Sequence, residues 1–400
     1  MNKASIMNGF PPSPNTQVTL ANWRSPPFNK WGFQHVREIV PSADIAAATS
    51  DFLELVSEPA NFGDCQIENN DGNLISFDRF LEETQTDGIV ILHDEKIVFE
   101  KYMTGMTQRT PHILMSVSKS MLALLAGILI ERGDLDTEQL VSEIVPEISE
   151  TAYRDATVRH LLDMRVGIDF DEDYMATTGL IIDYRKSTNW NPLEPGETAT
   201  DLRNFYNQLK GRSGEHGGPI NYVSPNNDLL GWVMERATGR RYVDLMSTLL
   251  WQLLGTTENA YITVDRLGAP RCAGGMCTTT RDLARIGHMV AKGGSRGTTS
   301  IVPENWIDDI ERNGSTDAWK DGTLAEYFPG LDISYRNQWY SLHGETPLIF
   351  AFGVHGQFLF VDRQSGSVIT KFSSQPLPLD KEKIVLTVKA ATQIVRWLSE

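Results

Sequence analysis

Four hundred residues, 40% of them hydrophobic, can bury one large core or two medium ones, so the chain reads as globular. A formal net charge of −16 with no basic run argues against nucleic acid as a partner. The longest apolar run, Met121 to Ile130, has ten residues, too few to cross a bilayer, and the first twenty residues hold no apolar stretch of the signal-peptide kind. The expectation is a cytoplasmic protein without membrane contact.

In chain order, the first forty residues carry Pro11, Pro12, Pro14, Pro26 and Pro27 and read as an extended arm laid over a surface. Residues 88–92 and 96–102 are β-rich runs separated by His93-Asp94-Glu95, the pattern of a hairpin. Helical periodicity then dominates residues 116–254. Thr157 is placed to cap a helix over 158–164, a helix over 227–237 ends at Gly239, and one over 242–254 ends at Gly255. A further helix covers 280–292. Strand patterns return at 338–343, 348–361 and 367–372, rich in aromatic and β-branched residues, and 383–398 closes the chain with a helical apolar face.

Strands at both ends with helices between them predict an α+β fold. An antiparallel sheet is built from both chain ends and flanked by helices, with a mainly helical domain inserted and a cleft between the two parts. The expected division is an N-terminal arm and first part of the α/β domain over 1–115, the helical domain over 116–270, and the second part of the α/β domain over 271–400.

The chemistry-bearing motif opens that insertion. Ser116 and Lys119 stand three apart at the start of an apolar helix, so hydroxyl and amine share one face. A serine hydroxyl needs a base to become a nucleophile, and a lysine serves only where burial or nearby positive charge lowers its pKa from about 10.4. Free N–H groups at the helix N-terminus favour negative charge developing close by. The spacing alone is equally compatible with an exposed serine and lysine on an ordinary helix end.

Other motifs lead nowhere on inspection. Gly293-Gly-Ser-Arg-Gly297 fits the Gly-x-Ser-x-Gly elbow in letters, but a helix precedes it where a strand is required. Eight histidines are scattered without metal-type spacing, and Cys65, Cys272 and Cys277 match no common zinc pattern. No metal and no cofactor are expected, and the cysteines fit a reducing compartment.

Several blocks taken together resemble the penicillin-recognising serine hydrolases, the family of class C β-lactamases, D-alanyl-D-alanine carboxypeptidases and related esterases. They are Ser116-Val-Ser-Lys119, Thr157-Val-Arg-His-Leu-Leu162, Tyr222-Val-Ser224 with Asn226 and Leu229-Leu-Gly-Trp-Val, and Gly274-Gly-Met-Cys-Thr-Thr-Thr-Arg-Asp-Leu-Ala-Arg285. Residues 168–174, 337–340 and 353–357 further resemble the amide-cleaving members. The resemblance implies a β-lactamase/transpeptidase-like fold and a serine hydrolase cleaving linear amides of short oligomers through an acyl-serine intermediate. A carboxylesterase is the alternative, followed by a β-lactamase or DD-peptidase and a non-catalytic acyl-serine sensor.

The same resemblance gives Tyr222 the proton relay to the leaving group, with Ser224 in place of the commoner asparagine. Tyr335-Arg336-Asn337 also fits Tyr-x-Asn in letters but leads into a strand. The family's Lys-Thr-Gly strand is replaced by Ala351-Phe-Gly-Val-His-Gly356, which puts the Val354 N–H beside that of Ser116 in an oxyanion hole; His355-Gly356 is the other register. The absent lysine removes the cation that would pair with a β-lactam carboxylate. Tyr174 and Tyr340 are implied to line the substrate cleft, Tyr174 on a closing loop, with Trp339 as the other register for Tyr340. The implied partners are a small amide or ester substrate and a second copy of the chain in a homodimer.

Overall fold

The computed structural model describes residues 6–400. Its main sheet begins with the expected hairpin, Thr86–His93 paired with Lys96–Tyr102. Asp94 and Glu95 form the turn with φ of +47° and +67°, the left-handed pair whose twist matches that of the flanking strands. Five C-terminal strands complete the sheet, in the spatial order Ile333–Arg336, Trp339–Leu342, Leu348–Gly353, Gln357–Val361, Val368–Ser373, Thr86–His93, Lys96–Tyr102. Every neighbouring pair is antiparallel, and the seam between the chain ends is Val368–Ser373 against Thr86–His93. The fold is α+β, as the sequence implies.

Successive side chains of a strand point to opposite faces, so a sheet covered on both sides sorts its residues by parity. Ile89, Ile91, Phe358 and Phe360 pack with Ile384, Val388, Ala391 and Val395 of the terminal helix Lys381–Ser399. Val90, Leu92, Leu359 and Val361 share the opposite cluster with Leu283, Ile286 and Val290 of the helix Thr280–Ala291. That second cluster continues into the helical part of the chain. At its heart lies Val117–Glu131, buried on all sides from Val117 to Leu129, as a helix apolar all round must be.

A smaller four-stranded sheet aims this helix. Its strands, in spatial order, are Ser42–Ile45, Ala260–Thr263, Met276–Thr278 and His112–Ile113. The last runs directly into Ser116. Leu114 N–H donates to Met276 O at 2.8 Å, and Met276 N–H donates to Ser118 Oγ at 3.2 Å, so the strand exit and the first helical turn are pinned together.

Three expectations are corrected. The helical middle is broken into short pieces. The Thr157-capped helix stops at Leu162, with Met164 in the left-handed region, and the run after Tyr242 is α-helical only to Met246 before widening to a π-helix over Ser247–Trp251. The expected strand over 348–361 is two strands, turned by His355 and Gly356 at φ of +64° and +88°. The arm is no extended wrapper. It folds into turns and the short helix Asn29–Gly32, and buries Trp23, Phe33, Val36 and Val40 against Met115, Trp190 and Val354. Those aromatic residues gain more from burial than an extended proline-rich strap would offer. Residues 1–5 of the expected arm lie outside the described residues.

The helix Thr280–Ala291 rests on the sheet through Gly287. A Cβ there would lie 2.3 Å from Val368 Cγ1 and 2.9 Å from Leu359 Cδ1. Gly287→Ala is therefore expected to cost about 1–3 kcal/mol by overpacking, despite the better helix propensity of alanine. A lowered urea midpoint checks this; an unchanged or raised midpoint would mean the contact yields freely.

Candidate active site

The turn into Val117–Glu131 puts Met115 at φ +46°, an uncommon state for a residue that carries a Cβ and one that brings Ser116 to the helix N-cap. The Ser116 side chain makes no capping bond. Instead Lys119, one turn on, donates from Nζ to Ser116 Oγ at 2.7 Å and to Ala273 O at 2.6 Å, and reaches Ser224 Oγ at 3.4 Å. Lys119 is 1% exposed. Burial lowers its pKa to about 7, opposed by the charge of Glu172 and reinforced by that of Arg271. At neutral pH a large share of the amine is uncharged, with a lone pair able to take the serine proton.

Tyr222 lies just before the helix Pro225–Thr238, its ring 5.1 Å from Lys119 Nζ. Burial raises its pKa, while hydrogen bonding to Ser116 works in the other direction. The phenol is thus protonated at neutral pH and faces the serine. The Tyr340 hydroxyl points towards it without completing a bond of good geometry.

Ser224 is engaged by a residue that the motifs did not single out. Its N–H donates to Glu172 Oε2 at 2.9 Å and its Oγ to Glu172 Oε1 at 2.5 Å. Asn226 turns away from the site and accepts from Tyr153 OH at 2.8 Å.

The strand Leu348–Gly353 ends against this helix start. A Cβ on Gly353 would stand 2.6 Å from Leu114 O and 3.0 Å from Ser116 N, so only glycine permits the approach. The two candidate registers separate here. His355 N–H donates to Pro378 O at 2.8 Å, whereas the N–H groups of Val354 and Ser116 make no hydrogen bond among the described residues. His355 also bonds through Nδ1 to Gln375 O at 2.7 Å, and burial pushes its pKa down to about 4, so the ring is neutral. It lines the serine cavity as a wall.

Two cavities meet at Tyr174. One, of about 270 Å³, holds Ser116, Ser224, Val354, His355 and Trp190; the other, of about 470 Å³, holds Tyr222, Asn221, Phe170, Thr323 and Tyr327. Glu172 and Tyr174 border both. Tyr340 departs from its expected place on the cleft wall. It is 2% exposed, stacked on Phe350 at 4.9 Å and edge-on to Trp319, because its strand turns that face towards the aromatic layer beneath the cleft. Trp339, on the opposite face, donates to Ser120 O at 3.3 Å.

Polar supports behind the serine come from distant segments. Asp228 accepts from Ala273 N–H at 2.8 Å, from Tyr184 OH at 2.5 Å and from Arg271 at 2.5 Å. It thereby fixes the carbonyl that receives Lys119. Arg185 donates to the carbonyl of Tyr174 at 3.0 Å and holds the loop before it. Asp228 stands in the helix motif and Arg271 just before the glycine block, yet only the folded chain shows what they meet. Tyr335 belongs to a hairpin, bonded to Gln338 at 2.8 Å. Ser295 sits in a short hairpin with Ser300. Among the described residues no group of three or more metal-ligating side chains occurs, and no helix is long and apolar enough to cross a membrane.

The β-lactamase family model matches residues 77–392. The chain belongs to the β-lactamase family. It is 34% identical over 369 residues to the 6-aminohexanoate-dimer hydrolase of Paenarthrobacter ureafaciens, covering 92% of this chain and 91% of that protein. A solved structure from Bacillus anthracis, provisionally described as a 6-aminohexanoate-dimer hydrolase, superposes with a TM-score of 0.86 at 24% identity, covering 97% of this chain and 98% of that one. A family VIII carboxylesterase shares the fold more distantly, with a TM-score of 0.56 at 16% identity over 79% of this chain and 95% of that one.

Two unpaired N–H groups beside a hydroxyl hydrogen-bonded to a buried amine can stabilise an oxyanion formed by attack on a carbonyl. Gly353→Ala should push the strand end away from Ser116 and lower kcat for Ser116-dependent hydrolysis by about 10²-fold or more, the scale of losing one oxyanion donor. The check is kcat together with thermal unfolding. A folded variant with wild-type kcat would remove Val354 from the site.

Proposed function

We propose that the chain is a serine amidase that cleaves short linear amides of the 6-aminohexanoate-dimer type through an acyl-serine intermediate. The observation that carries the reading is the buried Lys119 amine, 2.7 Å from Ser116 Oγ, with its pKa drawn down to about 7. Likeness to the Paenarthrobacter enzyme over nearly the whole chain supports the substrate class.

Ser116 Oγ attacks the amide carbonyl as Lys119 takes its proton, and the oxyanion is held by the N–H groups of Ser116 and Val354. Tyr222 gives its proton to the amine nitrogen as the C–N bond breaks, and recovers one from Lys119. Water then attacks the acyl-serine, passing its proton to the same pair, and the ester bond to Ser116 breaks as Oγ is reprotonated. Tyr174 closes the cleft from the loop held by Arg185. A cytoplasmic location, in keeping with three buried unpaired cysteines, belongs to the same proposal.

The second reading is a carboxylesterase, because an acyl-serine site that cleaves amides finds activated esters easier. The deciding experiment compares a panel of short linear amides, 6-aminohexanoate dimer among them, with p-nitrophenyl acetate, using wild type and Ser116→Ala. Amide cleavage lost in the variant supports the amidase. Ester cleavage alone, also lost, moves the chain to the esterases, and full activity in Ser116→Ala rejects the nucleophile.

The lysine base sets the pH dependence. Its folded pKa lies below the ordinary value, and the active form is the uncharged amine, so kcat/KM should rise about tenfold per pH unit below pH 7 and level off above it. Glu172→Gln removes the charge that opposes burial and should move this limb to lower pH. A limb that stays in place would exclude Glu172 from the electrostatics of the base.

A further inference from the structure

The serine cavity contains more positive charge than its own side chains neutralise. Arg24, Arg185 and Arg271 all line it. Arg271 is paired with Asp228 at 2.5 Å. Arg185 donates only to the backbone carbonyls of Asp173, Tyr174 and Ala176. Arg24, supplied by the N-terminal arm, donates to Asn191 Oδ1 at 2.5 Å and to Trp190 O at 3.5 Å, and its Nε is buried without a partner. Neither Arg24 nor Arg185 pairs with a carboxylate among the described residues. The one acid lining the cavity, Glu172, is held by Ser224 and lies close enough to Arg185 and Arg271 to favour their charged forms.

Arg24 alone has no acid acting on it, and a guanidinium in that state is costly unless something anionic arrives. Burial, with Arg185 and Arg271 close by, lowers the Arg24 pKa to about 9, and the group is still charged at neutral pH. Trp23 and Trp190 flank Arg24 with their rings 5.6 Å from its guanidinium carbon, which fixes the fork beside the serine. The strand that lacks a lysine is therefore accompanied by cations from the arm and from the helix Leu180–Ser187.

The other cavity has the opposite character. Asp171, Asp173 and Glu326 line it together with Tyr222. Tyr222 is the proposed proton donor to the departing amine, so the leaving group lies on this acidic side and the acyl half on the arginine side. We propose that Arg24 binds a carboxylate at the far end of the acyl half, so that among short linear amides the enzyme prefers monoamides of short α,ω-dicarboxylic acids over those whose acyl half ends in an ammonium. This rests on the serine-hydrolase reading above and sets a preference within the amide class proposed there, in which 6-aminohexanoate dimer, with an ammonium on its acyl half, is a slower substrate.

The test uses 4-nitroanilides with one spacer and three end groups: glutaryl (carboxylate), pentanoyl (methyl) and 4-aminobutanoyl (ammonium). The glutaryl compound should lead both others in kcat/KM by about tenfold or more, the scale of one charge-assisted pair in a partly dry site. Arg24→Met should remove most of that lead through KM, and Arg24→Lys should restore part of it. Equal or better turnover of the pentanoyl or 4-aminobutanoyl compound overturns the proposal, as does an Arg24→Met variant that slows all three alike. Should no anilide be cleaved, calorimetric binding of glutarate, pentanoate and 4-aminobutanoate to the same proteins decides. Glutarate bound more tightly by wild type than by Arg24→Met upholds the anion site while the hydrolase reading fails, and no preference for glutarate overturns it.

Discussion

The desolvated amine of Lys119 is the constraint around which the rest of the structure is arranged. A lysine in water carries its proton at neutral pH and is no base; one that is 1% exposed has lost the hydration that favoured the cation. Its three neighbours, Ser116 Oγ, Ala273 O and Ser224 Oγ, are uncharged oxygens, enough to satisfy an ammonium but not to hold it against burial as a carboxylate would. Glu172 stands one residue further out, bonded to Ser224, and tempers the shift. An acid in direct contact would keep the amine protonated, whereas one at this remove only partly offsets burial.

Holding that balance requires rigid surroundings. The helix of Lys119 is buried on every side, its first turn is bonded to the strand Met276–Thr278, and the carbonyl it donates to is fixed by Asp228. Asp228 in turn accepts hydrogen bonds from Arg271 and Tyr184 in the same dry layer, which fixes its carboxylate in place. Gly353 lets the main sheet come within van der Waals contact of the same turn. Three separate parts of the chain therefore meet at one hydroxyl, and each is anchored by its own secondary structure.

What could be read from sequence follows the range of the interaction. The pairing of Ser116 with Lys119 is set by helix geometry within one turn, and Tyr222 was recognisable because it directly precedes a helix. The two-ended sheet was legible from strand patterns at both termini. Glu172 was not, since it meets Ser224 across 52 residues from the middle of an acidic run that otherwise reads as a solvated loop. Arg24 meets Asn191 across 167 residues, from a proline-rich segment that looked like a surface strap. The surroundings of Tyr340 were not legible, because strand parity separates it from Trp339 without saying what either layer packs against; the packed structure puts Tyr340 on Phe350 beneath the cleft and Trp339 against Ser120.

The division between legible and hidden residues also separates chemistry from selectivity. The groups proposed to move protons stand on a helix end, a helix entry and a strand end, where local patterns dictate geometry. The groups proposed to decide which substrate fits, Glu172, Tyr174, Arg185 and Arg24, stand on or against the segment 170–185 and the arm, where tertiary contacts set position. A family fold then fixes what reaction is possible without fixing on what. In this chain the strand cation common in the family is missing while arginines from the arm and from the 170–185 segment crowd the same cavity. On the proposed reading, charge at the far end of the acyl group matters more than its length, because an unpaired guanidinium distinguishes carboxylate from ammonium far more sharply than an apolar wall distinguishes one methylene from two.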